Sequence, residues 1–317
     1  MRVHYIHHRT HYHYPNWVVD SASQVKLYPL QDEHQHVVEH QLVVSEDPTI
    51  HRFQDYFDNT TGFFTLVKPH RELSIESFCK VEMKENAVRP DQSAAVAWTE
   101  LRSSQLQTKW HDYLFAESTL HQSSIEEATH LNSSEHPFDE LHRLSEYIFK
   151  NFEYKKGVTT IETGIDEIWK LRAGVCQDFA HLLLYMMRLR GVPCRYVSGY
   201  ICPGNSEWRG EGATHAWAEA WLPDVGWVGI DPTNNCLAGE RHVRLTVGRS
   251  FLDCTPVKGT YKGSIEHLLE VTVQFSSRAF TEVQLAPKEI TTEQKLHFKK
   301  GISETYEIYK QRQQQQQ

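Results

Sequence analysis

Apolar residues follow two different spacings along this chain, and the spacing changes near residue 90. In the first 85 residues, short β-branched or aromatic segments are separated by polar, proline or glycine breaks, a pattern typical of strands. We predict strands at 3–6, 11–14, 37–44 and 63–67. Because no helical spacing interrupts them, this part of the chain predicts an all-β sandwich of antiparallel strands.

Apolar positions three and four residues apart then predict helices, placed at 94–101, 137–149, 165–171 and from Cys176 to about 190. Gly191 and Pro193 end the last of these helices. Strand patterns follow at 195–201, 214–222, 227–231, 243–247 and 268–275. Helices first and a largely antiparallel sheet afterwards predict an α+β fold class, with helices packed on the sheet.

These patterns divide the 317 residues into three parts, since the chain exceeds the length of one average domain. We predict a β-sandwich domain at 1–88, a core domain with its preceding helices at 89–277, and a charged extension at 278–317. Within the extension, residues 293–310 suggest a solvated helix, and the Gln-rich end at 311–317 is expected to be disordered.

Charge and apolar run length exclude some classes of partner. Lys and Arg total 33 against 41 Asp and Glu, a net charge of −8 without a long basic run, so we expect no nucleic-acid partner. No apolar run approaches the roughly 18 residues that span a bilayer, and the first residues lack a secretory pattern. We therefore expect no membrane partner and a cytoplasmic location, where six cysteines without a CxxC spacing would stay reduced.

Three polar residues suggest nucleophilic chemistry. Cys176 opens a helix, where unpaired N–H groups and partial positive charge stabilise a thiolate. His215 lies on a later strand and can take the thiol proton, while Asp231 on the next strand can orient the imidazole. Taken singly, each has an ordinary explanation: a buried thiol, a core histidine, and an aspartate that caps a turn.

Strand register provides a structural test of this triad. A four-residue loop at 223–226 would pair Leu222 with Trp227 and turn His215 and Asp231 to opposite faces of the sheet. The triad therefore requires a β-bulge or a loop of odd length. The small residues that alternate with His215, at positions 216, 218 and 220, predict that the Cys176 helix packs on their face.

Other candidate residues carry weaker signals. The N-terminal histidines at 4, 7, 8, 11 and 13 are too irregular for a metal site, and alternation on an exposed strand explains them. No calcium-loop or phosphate-loop motif occurs, so we predict no metal and no cofactor. Asp178 and His181 are expected to support the site. Trp208, in a glycine-containing loop, and Trp217 are candidates for a rim that contacts substrate, although that loop is equally explained as an exposed connection.

Several motifs resemble one family. The segments at 174–181, 195–200, 214–219 and 231–235 are similar to the core of bacterial transglutaminase-like proteins, often described as candidate cysteine proteases. Those at 8–14, 27–29 and 69–73 resemble the β-rich domain that precedes this core, and 241–249 also fits. The resemblance implies a papain-like triad of Cys176, His215 and Asp231. It leaves the reaction open, because the superfamily includes cross-linking transferases, peptidases, amidases and inactive relatives.

We therefore predict acyl transfer at an amide carbonyl through a thioester, with hydrolysis of a protein or peptide substrate favoured. The Cys176 backbone N–H would hold the oxyanion, helped by the Gln177 N–H or the Tyr154 hydroxyl. A protein-crosslinking transglutaminase and a non-catalytic binding module of the same fold remain alternatives. The sequence does not determine the oligomeric state.

Overall fold

The computed structural model describes residues 2–84, 90–130, 135–204, 208–210, 213–263, 266–276 and the backbone of 294–296. The first half of the described chain forms these elements, with a short 3-10 helix after α2: β1 (Arg2–Val25), β2 (Gln35–Val44), β3 (His51–Gln54), β4 (Thr60–Leu66), β5 (His70–Met83), α1 (Ala94–Leu101), α2 (Ser104–Lys109), α3 (Gln122–Thr129), α4 (Pro137–Asn151), β6 (Glu153–Tyr154) and α5 (Ile165–Leu171).

The second half forms the following elements: β7 (Ala173–Gly174), α6 (Cys176–Leu189), β8 (Cys194–Ile201), β9 (Thr214–Leu222), β10 (Gly226–Asp231), β11 (Cys236–Leu237), β12 (His242–Gly248), α7 (Phe251–Cys254), β13 (Val257–Lys262), β14 (Leu268–Ser276) and β15 (Gln294–Leu296). The chain divides into two compact units. Residues Arg2–Glu82 together with the chain from Thr255 form the β unit, and Met83–Cys254 forms the core unit.

The β unit is built around β1. The first half of this strand pairs antiparallel with β14, and its last five residues pair antiparallel with β4. Its last four residues also pair antiparallel with β13. β5 pairs with β1 and β2, β3 with β4, and β15 with β14. Two separate strands were predicted at 3–6 and 11–14, but the structure joins them into one strand of 24 residues.

Histidines between the two predicted strands explain why no break occurs there. His7 stacks on Phe78, with ring centroids 4.2 Å apart, and its Nε2 lies 2.8 Å from a Glu76 carboxylate oxygen. His8 is buried and hydrogen-bonded to the Thr10 hydroxyl. The explanation by an exposed strand was wrong for His4, His7 and His8, which are buried, whereas His13 is exposed. Polar rings with hydrogen-bond partners can belong to the interior of a sheet.

The C-terminal strands depart from the predicted domain boundary. The strand expected at 268–275 is β14, yet it pairs with β1, and the unpredicted β13 also pairs with β1. This part of the chain therefore belongs to the β unit, and the core unit ends at Cys254 instead of continuing to 277. Residues 294–296 form a strand where a helix over 293–310 was expected. The rest of that segment and the Gln-rich end lie outside the described residues.

The core unit holds a five-stranded antiparallel sheet in the order β11-β10-β9-β8-β12. Ala216, Ala218 and Ala220 of β9 share one hydrophobic core with Phe179 and Leu183 of α6. Small side chains on this face of the strand allow the helix to lie close to the sheet. The predicted packing of the Cys176 helix on this face is confirmed, as is the α+β class of the fold.

Helix positions agree closely with the sequence pattern. α1 and α5 have the predicted bounds, α4 continues two residues further, and α6 begins at Cys176. Gly191, with a φ of +73°, follows the end of α6 in the left-handed conformation that glycine adopts without a Cβ penalty. No helix in the described ranges is both long and apolar enough to cross a membrane.

Candidate active site

Cys176 is the first residue of α6 and is half-buried. The buried Asp178 fixes this end of the helix, because its Oδ2 accepts hydrogen bonds from the Val175 N–H at 2.7 Å and from the Thr159 hydroxyl at 2.6 Å. Gly174 makes room for that carboxylate: a Cβ at this position would lie 2.6 Å from Oδ2. The thiol therefore stands at a helix start that side-chain hydrogen bonds hold in place.

Two neighbours on α6 have supporting positions. Burial raises the pKa of Asp178, and the hydrogen bonds from Thr159 and Val175 oppose that rise. His181 Nε2 accepts the Phe251 N–H at 3.1 Å, and burial lowers the pKa of His181 to about 4. A neutral His181 is hydrogen-bonded to the backbone at the start of α7, and its ring lies 5.0 Å from that of Tyr196.

The hairpin between β9 and β10 sets the relation of His215 to Asp231. Gly226 pairs with Leu222 and Trp227 with Trp221, so the connection has three residues, 223–225. The prediction of an odd-length loop is confirmed. Because side chains alternate with period two, this register puts His215 and Asp231 on the same face of the sheet.

His215 and Asp231 form a hydrogen bond inside the protein. The Nε2 of His215 lies 2.8 Å from Oδ2 of Asp231, and both side chains are fully buried. An ionised carboxylate only accepts, so His215 Nε2 carries the hydrogen and donates it. The other ring nitrogen, Nδ1, has no hydrogen-bond partner of good geometry in the described part of the chain. It lies 3.0 Å from where a Cβ on Gly210 would stand.

The charges of this group depend on one another. Burial alone would lower the pKa of His215, but Asp231 and the Cys176 thiolate outweigh burial and raise it to about 10. Burial likewise disfavours the charged form of Asp231, yet His215 and His242 hold its pKa far below its usual range. Cys176 is thus near enough to His215 to stabilise an imidazolium, and Asp231 stays ionised beside it.

Two side chains that sequence reasoning did not assign, Asn234 and His242, complete the surroundings of Asp231 together with one backbone N–H. Asn234 Nδ2 donates to Asp231 Oδ2 at 2.7 Å, and the Thr233 N–H donates to Oδ1 at 2.9 Å. His242 Nδ1 accepts the Gly239 N–H at 3.2 Å, so its Nε2 carries the hydrogen and faces Oδ2 at 3.3 Å. Both residues lie in motifs that the family resemblance covered, but no spacing signal linked them to Asp231.

The buried histidines also form a potential metal-ligating group. One ligand atom from each of His215, Asp231 and His242 lies within 4.8 Å of the others. No metal was predicted from the sequence, and these three residues lie outside the histidine cluster that was weighed as a metal site. The hydrogen bonds from both imidazoles to the carboxylate account for the proximity of the three side chains.

The two predicted oxyanion donors lie beside the nucleophile. Gln177 is the second residue of α6, where the helix offers no acceptor for its N–H. Tyr154 of β6 pairs with Gly174 of β7, two residues before Cys176. Burial, followed by Cys176 and Asp231, raises the pKa of Tyr154 above its usual range, so its hydroxyl keeps its proton and can donate.

The two tryptophans predicted to form a rim that contacts substrate differ in burial. Trp217 is fully buried, and its ring lies 5.2 Å from that of His242, so the prediction that it contacts substrate was wrong. The alternation of side chains along β9 correctly predicted that Trp217 shares a face with His215, but that face lies inside the protein. Trp208 is half-buried and lies 3.7 Å from the Arg241 guanidinium carbon. In this loop, residues 205–207 and 211–212 lie outside the described part of the chain.

A known protein family matches part of each of the two compact units. The family described as bacterial transglutaminase-like N-terminal region matches residues 5–82, and the transglutaminase-like superfamily core matches residues 127–232. An uncharacterized protein of Mycobacterium tuberculosis is 32% identical over 286 residues, covering 84% of this chain and 90% of its own length. A protein-glutamine gamma-glutamyltransferase of Pseudomonas aeruginosa is 33% identical over 97 residues, 28% of this chain and 14% of that protein.

A solved structure supports the same assignment at the level of fold. The crystal structure of a candidate cysteine protease from Cytophaga hutchinsonii superposes with a TM-score of 0.68 at 18% identity, covering 92% of this chain and 96% of the other. Two family matches, one in each unit, and a relative similar over nearly its whole length agree with this fold. The chain belongs to the transglutaminase-like superfamily and carries that superfamily's bacterial N-terminal region.

Proposed function

We propose that this protein is a cysteine-dependent enzyme that cleaves amide bonds through a thioester, with Cys176, His215 and Asp231 as its triad. The observation that carries the proposal is the buried His215, which donates to Asp231 through Nε2 while Cys176 stabilises its charge. The imidazolium of His215, with a pKa near 10, lies beside a thiol at a helix start, an arrangement that suits a cysteine nucleophile.

In the acylation step, the Cys176 thiolate attacks the amide carbonyl carbon. The S–C bond forms, the C–N bond breaks, and His215 gives the leaving amine its proton from Nδ1. Asp231 keeps its hydrogen bond to Nε2 and holds the ring in orientation throughout. The product of this step is an acyl-enzyme and a free amine.

The oxyanion that develops on the carbonyl needs donors that are already in position. We assign the Cys176 backbone N–H as one donor, and the Gln177 N–H or the protonated Tyr154 hydroxyl as the second. Removal of one such donor typically lowers the rate by about 10²–10³-fold. Tyr154 is the better candidate, since Cys176 lies near enough to contribute to the raised pKa of its hydroxyl.

In the deacylation step, neutral His215 removes a proton from water, and the resulting hydroxide attacks the thioester. The acyl group leaves as a carboxylic acid, and Cys176 returns to its thiolate form. Hydrolysis in this manner makes the protein a peptidase or amidase that acts on a protein or peptide.

Transfer to an amine is the second candidate reaction. Its support is the partial likeness to the Pseudomonas aeruginosa protein-glutamine gamma-glutamyltransferase. In that case a primary amine attacks the thioester and a new amide forms. Casein with a fluorescent primary amine discriminates the two, because hydrolysis leaves the casein without the label, whereas transfer attaches the amine to a glutamine side chain with release of ammonia.

The proposal is tested by labelling Cys176 with iodoacetamide across pH and locating the label by peptide mass spectrometry. We expect Cys176 to react in the wild type at pH 6–7, faster than the buried Cys79, Cys194 and Cys254. His215→Ala should slow the reaction at that pH strongly. Equal rates in the wild type and in His215→Ala would contradict the enzyme proposal and favour a non-catalytic binding module.

A cytoplasmic location and the absence of a nucleic-acid partner stay proposals as well. The support for the first is that all six cysteines are free, as a reducing compartment would keep them. The support for the second is the net charge of −8.

A further inference from the structure

The backbone of Arg209 is tied to the proposed catalytic group. The Asn234 side chain accepts the Arg209 N–H through Oδ1 at 2.8 Å and donates to the Arg209 carbonyl through Nδ2 at 3.1 Å. The same Nδ2 donates to Asp231 Oδ2 at 2.7 Å. One amide therefore joins the backbone at Arg209 to the carboxylate that orients His215.

The next residue, Gly210, borders the reacting atoms. A Cβ there would stand 3.0 Å from His215 Nδ1 and 3.5 Å from the Tyr154 hydroxyl oxygen. In the proposed mechanism, His215 Nδ1 is the nitrogen that gives the leaving amine its proton. Arg209 thus lies one residue from the wall of the site where a substrate amide would bind.

The guanidinium of Arg209 lies near an aromatic ring, and one of its nitrogens has no partner among the described residues. Its Cζ lies 4.4 Å from the Phe149 ring centroid, and its Nη1 is buried without a hydrogen-bond partner in the ranges that the structure describes. Among those residues, no carboxylate forms an ion pair with it. Its positive charge acts on Tyr154, where it opposes the effect of burial on the pKa of the hydroxyl.

Other inward-facing arginines of the core unit are paired differently. Arg195 and Arg244 both donate to the buried Glu219, at distances down to 2.6 Å. Arg190 donates to the buried Glu140 at 3.0 Å. Leaving a buried N–H of a cation unpaired costs free energy, so Nη1 of Arg209 would gain from an acceptor that arrives with a ligand.

We propose that Arg209 is a carboxylate-binding residue of the substrate site, so that the preferred substrates carry an acidic group near the amide that is cleaved. This assignment rests on the proposed function, because it places the carboxylate of the substrate beside Cys176, the proposed nucleophile. The planar guanidinium suits a carboxylate, which it can bind with two parallel hydrogen bonds. The same charge repels a protonated lysine side chain, which favours water over a lysine as acyl acceptor.

Paired alkylating reagents test this assignment on the intact protein. Iodoacetate and iodoacetamide transfer the same carbon to sulfur with loss of iodide, but only the first carries a carboxylate. N-Bromoacetyl-glycine and its amide form a second pair with a longer spacing. For each pair, the quantity measured is the ratio of the Cys176 labelling rate of the acid to that of the neutral reagent.

We expect Arg209→Gln and Arg209→Met to lower this ratio about fivefold for at least one pair while the rate with the neutral reagent stays the same. Methionine keeps an unbranched stem over Phe149, and Arg209→Lys, which keeps the charge, should retain much of the ratio. Arg102→Gln is the charge-matched control, since Arg102 is exposed and lies near Trp98 on α1. Added salt should reduce the ratio of the acid rate to the neutral rate in the wild type, because salt screens the attraction between Arg209 and the carboxylate.

Each other outcome has a distinct meaning. An unchanged ratio in both neutral variants, or an equal fall in Arg102→Gln, would overturn the carboxylate site and leave the proposed enzyme intact. A purely structural role of Arg209 on Phe149 would lower the rates of both reagents together, and the proposal would again be wrong. A Cys176 that reacts with neither reagent in the wild type would overturn the proposed function and the carboxylate site with it.

Discussion

Gly226 pairs directly with Leu222 across the hairpin of β9 and β10, and this one pairing places the proposed base and its carboxylate on a common face. Gly226 has a φ of +86°, in the left-handed region that a three-residue hairpin connection commonly uses at its end. The pairing continues to Ile230 with Ala218, so Asp231 falls opposite Trp217, two residues from His215. Side chains this far apart on one face are within reach of each other.

The conformation of Gly226 can be tested by substitution. A Cβ added there meets no atom within 4 Å, so Gly226→Ala changes only the backbone energy of a left-handed residue. We expect it to lower the free energy of unfolding by about 1–2 kcal/mol, and Gly226→Asn to lower it less, because Asn visits this region more readily. Urea unfolding measures both. An alanine variant as stable as the wild type would contradict the left-handed conformation.

The sequence predicted the members of this site better than their surroundings. The positions of Cys176, His215 and Asp231 follow from a helix start and two strands, and the need for a β-bulge or an odd-length loop follows from the strand register. The roles of His242 and Asn234 could not be predicted, because neither belongs to a periodic pattern that identifies its partner. Both reach Asp231 only after β10, β12 and the turn at 232–235 have come together.

Asp231 controls the proton on His215. Burial alone would lower the pKa of His215, and Asp231 is the first of the groups that raise it to about 10. Asp231→Asn removes that charge, so we expect His215 to lose its proton at a lower pH than in the wild type. Histidine ¹⁵N NMR over pH 5–11 follows the titration, with the wild-type transition expected near pH 10.

The labelling rate of Cys176 should change with that titration. At pH 6.5 the wild type retains the imidazolium, and Asp231→Asn should react with iodoacetamide at least about tenfold more slowly. Asp166→Asn is the control, since it removes the same charge from a half-exposed pair with His121. A His215 titration at the same pH in the wild type and in Asp231→Asn would contradict the assignment of Asp231.

Gly174 provides a second test, at the base of the nucleophile helix. An added methyl group would lie 2.6 Å from Asp178 Oδ2 and force this carboxylate away from the Val175 N–H. We expect Gly174→Ala to lower the free energy of unfolding by about 1–3 kcal/mol and to slow Cys176 labelling. Gly164→Ala is the matched control, since nothing lies within 4 Å of its added methyl and α5 starts there. Similar free energies of unfolding and similar Cys176 labelling rates in the two variants would show that the contact between position 174 and Asp178 is unimportant.

The fold was predictable wherever local pattern decides the structure. The bounds of α1, α5 and β9 follow from apolar periodicity and from glycine and proline breaks. The partner of β14 was not predictable, because its alternation of side chains is equally compatible with the sheet of either unit. Its pairing with β1 is a contact between residues more than 250 positions apart, such as Tyr12 with Leu269.

Glu219 lies on the same face as His215 and Trp217, and its charge is held by two arginines. Burial alone would raise the pKa of Glu219, but Arg244 and Arg195 lower it from 4.5 to about 2. The folded pKa is therefore below the unfolded one. The stabilisation is fully present above pH 4.5 and is lost as the pH falls toward 2, and it amounts to about 3 kcal/mol.

Glu219→Gln should consequently leave two buried guanidinium groups without a counter-charge. We expect it to lower the free energy of unfolding at pH 7 by about 3–5 kcal/mol, and to remove much of the acid destabilisation that the wild type shows between pH 4.5 and 2. Glu146→Gln is the control in the same unit, because its pair with Lys150 is exposed and should be worth less than about 0.5 kcal/mol. Urea unfolding at pH 7 and at about pH 2.5 measures both variants. Equal losses in the two variants would contradict a buried ion network around Glu219, since only buried charges lack water as a replacement partner.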